Sequence, residues 1–148
     1  MVTGIFKNYI CHSLNAGLQY MTMTTRIGIP VNGITISGPG EGTEIHIFEV
    51  DNTKYKLIES YENPALKATS TRGIHMLKSV LAKNVDAIIV SEIGAPGVRF
   101  LKDKIKIYFS NNMNENEALE FYIHGKLEEI TLPTHESPDH DGNIHNLK

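Results

Sequence analysis

The chain has 148 residues, of which 41% are hydrophobic and 21% charged, a balance typical of one globular domain with a single core. The 17 acidic and 14 basic side chains give a net charge of −3, which favours neither nucleic acid nor an anionic membrane as a partner. Cys11 is the one cysteine, so the chain can form no internal disulfide and no four-cysteine metal site, and we expect a cytoplasmic protein.

Residues 1–24 show neither a helical nor a strand period of apolar side chains. Their longest apolar run is residues 9–11, which is shorter than the roughly 7 to 15 apolar residues of a signal peptide. Met21 and Met23 directly precede the first regular segment. We therefore expect a disordered, dispensable extension, and the alternative is an ordered strand or helix that docks on a partner.

The first regular segments favour strands. Residues 26–31 are β-branched and apolar, with Pro30 indicating an end or an edge of the strand pairing. After the glycine-rich residues 37–42, residues 43–61 form two apolar segments around a turn at 51–54, and this pattern predicts a β-hairpin.

The second half alternates between helical and strand patterns. Residues 70–83 carry one apolar helical stripe, and residues 86–91 form a continuous apolar run that is typical of a strand buried on both faces between parallel neighbours. A short helix over 98–102 and a strand over 104–109 follow. The last helix begins at Asn114, whose side chain forms a capping box with Glu117.

This order of elements predicts an α/β domain over residues 25–132, with a mixed five-stranded sheet and helices on both faces. Residues 133–148 contain histidines and acids without an apolar pattern, so we expect a flexible tail. In that tail His135, His140 and His145 recur every five residues and are weak candidate metal ligands, with a solvated tail as the alternative.

Several segments taken together resemble the dinitrogenase iron-molybdenum cofactor biosynthesis family, which includes nitrogenase accessory factors. The resemblance covers roughly residues 25–130. It implies a three-layer, ribonuclease H-like fold and a non-enzymatic role in binding or carrying an iron-sulfur or iron-molybdenum type cluster. The residues that carry it are IHIFEV at 45–50, VDAIIV at 85–90, Ile93-Gly94, IKIY at 105–108, Glu117-Ala118-Leu119 and Gly125-Lys126-Leu127.

One position departs from the family pattern. Many members resembling it have a His-Phe-Gly triplet before the second strand, and the resemblance implies that this histidine contacts the cluster. Counted back from Val50 without gaps, the triplet falls on Gly38-Pro39-Gly40, so the histidine is absent here. A member without it could retain the fold with a different ligand or with none.

We expect the functional pocket where loop 37–42, the start of the first long helix and turn 94–97 meet at one end of the sheet. Glycine-rich backbone, a guanidinium and an imidazole can together hold an anionic cluster or an oxyanion. Simple turn geometry is the alternative for both glycine-rich segments, because neither contains a complete phosphate-binding motif. His75 is the strongest candidate ligand. The candidate cofactor-binding residues are Ser37, Gly38, Gly40, Arg72, His75, Gly94 and Gly97.

The sequence argues against an enzyme. A two-metal nuclease on a ribonuclease H-like fold needs carboxylates on the first strand and the first helix, and residues 26–31 and 69–83 contain none. We therefore expect no catalytic residues, and the resemblance implies a metal-cofactor carrier whose partners are the cofactor and a cofactor-processing protein. The alternative is a protein-interaction scaffold, or a small anionic ligand-binding module that has lost cluster binding.

Overall fold

The structure is a computed structural model that describes residues 9–13 and 19–135. No helix in the described ranges is long and apolar enough to span a bilayer. A 3₁₀ turn, Pro64–Lys67, precedes the first α-helix. In chain order the strands and α-helices are β1 Tyr9–Ser13, β2 Gln19–Met23, β3 Thr25–Asn32, β4 Thr35–Ile36, β5 Glu44–Val50, β6 Tyr55–Glu62, α1 Arg72–Ala82, β7 Ala87–Val90, α2 Ala95–Leu101, β8 Lys106–Phe109, α3 Glu115–Ile123 and β9 Glu128–Ile130.

The main sheet is mixed and has seven strands. Its order is β6-β5-β3-β7-β8-β9, with β4 paired to β3. Strands β3, β7 and β8 run parallel, and their pairings with β4, β5 and β9 are antiparallel. The predicted count of five strands is wrong, because β4 and β9 contain only two and three residues and are too short to show a period of two.

Strand β7 lies in the interior of the sheet, as its continuous apolar run predicts. All four of its residues are buried, and it pairs in parallel with β3 on one side and with β8 on the other. Its alternate side chains enter two different cores, with Ile88 and Val90 in one and Ala87 and Ile89 in the other. The strand therefore needs apolar residues at every position.

Helices cover both faces of the sheet. The first face packs against α1 and α2, and the second packs against α3. Together these two cores make a three-layer α/β/α arrangement. The buried helical side chains are Met76, Leu77, Val80 and Leu101 on the first face and Ala118 and Leu119 on the second.

The predicted hairpin and the predicted helix cap are both present. Strands β5 and β6 pair antiparallel, and at their turn the Asp51 carboxylate accepts hydrogen bonds from the amides of Thr53 and Lys54 at 2.8 and 2.9 Å. These two backbone bonds lower the pKa of Asp51. At the start of α3, Asn114 and Glu117 form the reciprocal capping box.

Pro30 lies in β3 beyond the residues that pair with β7. The two strands pair in parallel at Ile27 and Gly28, and the Pro30 carbonyl accepts a hydrogen bond from the Ser37 amide at 2.9 Å. The missing N–H therefore interrupts no pairing with β7. The expected end of pairing therefore holds only for the contact with β7, because β4 pairs with β3 from Val31 onward and β5 pairs along the other side.

The extension contains secondary structure that its sequence does not indicate. Strands β1 and β2 pair antiparallel in a separate two-stranded sheet, which differs from the disorder expected for residues 1–24. Antiparallel pairing is made by backbone groups, so a sequence without an apolar period can also form it. Whether the extension is dispensable stays a prediction, and residues 136–148 lie outside the described ranges.

Candidate functional site

Three chain segments enclose a pocket of about 330 Å³ at the carboxyl ends of β3 and β7. They are residues 38–41, the start of α1 at residues 71–74, and residues 92–97 after β7. Open α/β sheets bind ligands outside the carboxyl ends of their strands, at the point where the connections that follow two neighbouring strands lead to opposite sides. The three segments expected to meet therefore do meet, and we call this space the glycine pocket.

The buried side-chain amide of Asn63 holds the loop of residues 38–42 in place. The Asn63 side chain is fully buried, and its Nδ2 donates to the carbonyls of Pro39 and Gly42 at 3.0 Å each. Its Oδ1 accepts from the Ala65 amide, which caps the 3₁₀ turn. In the sequence, Asn63 is noticeable only as the residue before Pro64, so its role in shaping the loop could not be predicted from spacing.

Four of the seven predicted cofactor-binding residues line the glycine pocket, and the other three do not. Ser37 is buried beneath the loop, where its hydroxyl donates to the Gly38 carbonyl at 3.0 Å. Arg72 donates to the Gly40 carbonyl at 3.3 Å, and His75 is exposed on α1. The four that line the pocket are Gly38, Gly40, Gly94 and Gly97.

Two of these glycines allow close approaches. A Cβ atom on Gly97 would lie 2.9 Å from Cγ1 of Ile93, so only glycine permits the packing of α2 against this residue. A Cβ on Gly38 would lie 2.8 Å from Cγ of Glu92 and 3.2 Å from its Oε2. The side chain of Glu92 thus occupies the space beside the position where the family pattern has its histidine.

Glu41 and Glu92 both line the pocket. A hydrogen bond with Glu92 raises the pKa of Glu41, and burial and repulsion by the Glu92 charge raise it further. Nδ1 of His135 lies 3.8 Å from Oε1 of Glu92. Neither Glu41 nor Glu92 can be recognised as a pocket residue from the sequence, because a glutamate in a loop has no distinguishing pattern.

The segment after β9 brings His135 to the pocket. The Thr134 amide donates to the Ile93 carbonyl at 2.9 Å, and the Ile93 amide donates to the Thr134 hydroxyl at 2.8 Å. His135 consequently lies over Gly94, with Nε2 3.4 Å from where a Cβ of that glycine would be. The other two predicted tail ligands, His140 and His145, lie outside the described residues.

In the described part of the chain, no three histidine, cysteine or acidic side chains are arranged around one point as metal ligands. The glycine pocket instead holds two contacts, Glu41 with Glu92 and Glu92 with His135. The pocket thus offers carboxylate oxygens and an imidazole nitrogen.

A wider groove of about 940 Å³ lies along α2, β8 and β9. Val98, Ile105, Ile130 and Leu132 supply apolar surface to it. Among the described residues, its lining includes no histidine, cysteine or glycine, and it shares no residue with the lining of the glycine pocket.

Comparisons with known proteins connect this geometry to a family. The family model described as dinitrogenase iron-molybdenum cofactor matches residues 23–125, a range that includes both glycine-rich segments and ends before His135. An uncharacterised protein of Methanocaldococcus jannaschii is 27% identical over 107 residues, which are 71% of this chain and 91% of that protein.

Solved structures share the fold. A candidate dinitrogenase of Methanocaldococcus jannaschii superposes with a TM-score of 0.56 at 22% identity, over 75% of this chain and 99% of that one. The apo form of the orange protein from Desulfovibrio gigas superposes with a TM-score of 0.61 at 13% identity, over 75% and 97% of the two chains.

Proposed function

This chain belongs to the dinitrogenase iron-molybdenum cofactor family, and from that membership we propose that it is a non-enzymatic protein that binds or carries an iron-sulfur or iron-molybdenum type cofactor. The family supports a role related to this cofactor. We further propose that the fold is ribonuclease H-like, that the protein acts in the cytoplasm, and that it exchanges its cargo with a cofactor-processing protein.

The observation that supports a carrier most directly is the preformed glycine pocket. The glycines let the segments around this space pack closely against one another, and the buried Asn63 amide holds the loop that carries Gly38 and Gly40. The volume of the glycine pocket, about 330 Å³, lies within the range of small-molecule and cofactor sites.

The placement of the acids supports a role without catalysis. Strand β3 and helix α1 contain no Asp or Glu, which removes the positions that a two-metal nuclease on this type of fold would use. Asp86, beside the central strand, accepts a hydrogen bond from the Arg26 amide at 2.9 Å. That contact ties two parallel strands together and gives this carboxylate a structural role.

Blocking the pocket tests the proposal. A Cβ on Gly73 would lie 3.4 Å from Cβ of Pro39, an ordinary contact, so Gly73→Leu should fold and fill the pocket with its side chain. The matched control Lys78→Leu places the same side chain at an exposed position of the same helix.

After anaerobic incubation with an iron-sulfur or iron-molybdenum cofactor preparation and gel filtration, we expect wild type and Lys78→Leu to retain iron or molybdenum. Gly73→Leu should retain none, with an unchanged circular dichroism spectrum. Retention by Gly73→Leu equal to wild type would place the cofactor elsewhere, and no retention by wild type would end the carrier proposal. Including His75→Ala determines whether that exposed histidine contributes a ligand.

A protein-interaction scaffold is the second candidate, and the edge strand β6 favours it. Leu57 and Ile58 on this strand are 47% and 38% exposed, which is unusual for large apolar side chains on a sheet. If wild type retains no metal, mixing it with a cofactor-processing protein of the family would test this role. Binding that Leu57→Lys abolishes would support it.

A further inference from the structure

The segment that follows β9 crosses to the glycine pocket, where His135 is part of the lining. The family match ends at residue 125, so this segment lies beyond the matched range. We propose that residues 131–135 form a strap that closes one side of the glycine pocket and opens to let the cargo enter and leave. The inference rests on the proposed function for the nature of the cargo, and the closure itself can be tested without any cargo.

Thr134 attaches the strap to the chain after β7. Its amide donates to the Ile93 carbonyl at 2.9 Å, its hydroxyl accepts from the Ile93 amide at 2.8 Å, and the hydroxyl oxygen lies 3.1 Å from the same carbonyl. Ile93 is buried, and a Cβ on Gly97 would lie 2.9 Å from its Cγ1, so this side chain packs closely against α2. The attachment point therefore belongs to the core, and the strap can open while Ile93 stays in place.

The strap itself buries little surface. Four of its five residues are exposed, and Leu132 is 74% exposed although it is apolar. Nδ1 of His135 lies 3.8 Å from Oε1 of Glu92, and because both side chains are nearly half exposed, solvent screens this pair and it adds little. The bonds of Thr134 therefore make the main attachment. A segment held in this way opens locally, without unfolding of the sheet.

The closed strap covers the backbone at Gly94. Nε2 and Cε1 of His135 lie 3.4 and 3.8 Å from the position that a Cβ of Gly94 would occupy. Another wall of the pocket, the loop of residues 38–42, is held from within by two hydrogen bonds of the fully buried Asn63 side chain. One wall is thus fixed by the core and the other is held at the surface, so the strap is the wall that moves when the pocket opens.

A thiol placed beneath the strap reports its opening. Gly94 has an extended backbone, with φ −90° and ψ 175°, that any residue adopts, so Gly94→Cys should fold with its side chain beside the His135 ring. In a chain that also carries Cys11→Ser this is the one thiol, and its rate of reaction with a maleimide measures how often the strap is open. The matched control Lys78→Cys places the thiol at an exposed position of α1 and should react roughly tenfold faster.

Thr134→Val removes the hydroxyl and keeps the shape of the side chain. The loss of one hydrogen bond changes an equilibrium about fivefold, so the thiol at residue 94 should react about fivefold faster in this variant. Thr134→Ser keeps the hydroxyl and should leave the rate unchanged, and the thiol at residue 78 should respond to neither change. A thiol at residue 94 that reacts as fast as the thiol at residue 78, or that Thr134→Val does not accelerate, would overturn the proposal.

Hydrogen exchange provides a second measurement in a chain with Gly94 unchanged. In Thr134→Val the amide of residue 134 can still donate to Ile93, so a fall of about fivefold in its protection factor reports opening of the strap and not the deleted bond. The amide of Ile88, in the buried strand β7, should keep its protection. An equal fall at both amides would mean that the sheet opens together with the strap, and no fall at residue 134 would mean that the hydroxyl does not hold the strap. Either result would overturn the proposal.

The rate of cofactor uptake connects the strap to the cargo. During anaerobic incubation with the same cofactor preparation, Thr134→Val should take up iron or molybdenum faster than wild type, because its pocket is open more often. Equal rates of uptake would refute the role of the strap in access. If wild type retains no metal while the thiol and exchange results are as expected, the carrier function fails and the closure stands. If wild type retains metal while the thiol rates do not differ among the variants, the strap fails alone.

Discussion

The contact between His46 and Glu115 should contribute far more to stability than the contact that the same ring makes with Glu44. Nδ1 of His46 lies 2.8 Å from Oε1 of Glu115, and Nε2 lies 3.1 Å from Oε1 of Glu44. The Glu115 side chain is 9% exposed and that of Glu44 is 56% exposed. One imidazole therefore contacts two carboxylates that differ mainly in burial.

The expected magnitudes follow from that difference. Replacing Glu115 with Gln turns a charge-assisted hydrogen bond into a neutral one, a loss of about 1 kcal/mol, whereas Glu44→Gln should cost less than about 0.5 kcal/mol because its carboxylate is solvated. His46→Ala leaves the Glu115 carboxylate buried without this partner, which costs roughly 3 to 5 kcal/mol for a fully buried pair. Glu115 lies in the first turn of α3, where the positive end of the helix dipole stabilises its carboxylate by up to ~1 kcal/mol. We therefore expect His46→Ala to lower the free energy of unfolding by about 3 kcal/mol.

Urea unfolding at pH 7 measures these differences, provided that the slope of free energy against urea stays constant. The double variant His46→Ala/Glu115→Gln should be more stable than the sum of the single changes predicts, because the buried charge that lost its partner is gone. A loss in Glu44→Gln equal to that in Glu115→Gln would refute the argument from burial. A loss below about 1 kcal/mol in His46→Ala would refute the unpaired-charge argument.

Three further predictions concern the extension, catalysis and pH. A chain that begins at Met23 should lose no more than the 4 to 8 °C of thermal midpoint that corresponds to ~1 kcal/mol in a small domain, because within the described ranges β1 and β2 pair only with each other. A larger drop in a thermal melt would mean that the extension packs on the core. Incubation with DNA or RNA and Mg²⁺ or Mn²⁺ should give no cleavage, and cleavage that survives purification and disappears in Asp86→Asn would contradict this expectation. Asp51→Asn should lower the free energy of unfolding at pH 7, because the folded state lowers the pKa of Asp51 and so favours its charged form. The difference from wild type should disappear as the pH falls below 3.8, the ordinary pKa, and then through the lowered pKa of the folded state. Urea unfolding between pH 2 and 7 checks the sign, and a difference that grows in acid would contradict it.

The sequence by itself determined the elements whose causes are local. The apolar run of β7 predicts a strand buried on both faces, because every side chain must enter one of two cores. Asn114 and Glu117 predict the start of α3, because each satisfies a backbone amide three residues away. Asp51 predicts the hairpin turn for the same reason, and the glycine-rich segments predict where the pocket forms.

Only the tertiary structure decided which side chains the pocket receives. Strand β9 returns the chain to the sheet. The bonds between Thr134 and Ile93, which are 41 residues apart in the chain, then bring His135 to Glu92. His46 likewise acquires its partner Glu115 only because α3 packs on the face of β5 that this ring occupies. No period or spacing in a sequence encodes such contacts, because they depend on strand order and on how the layers close over the sheet.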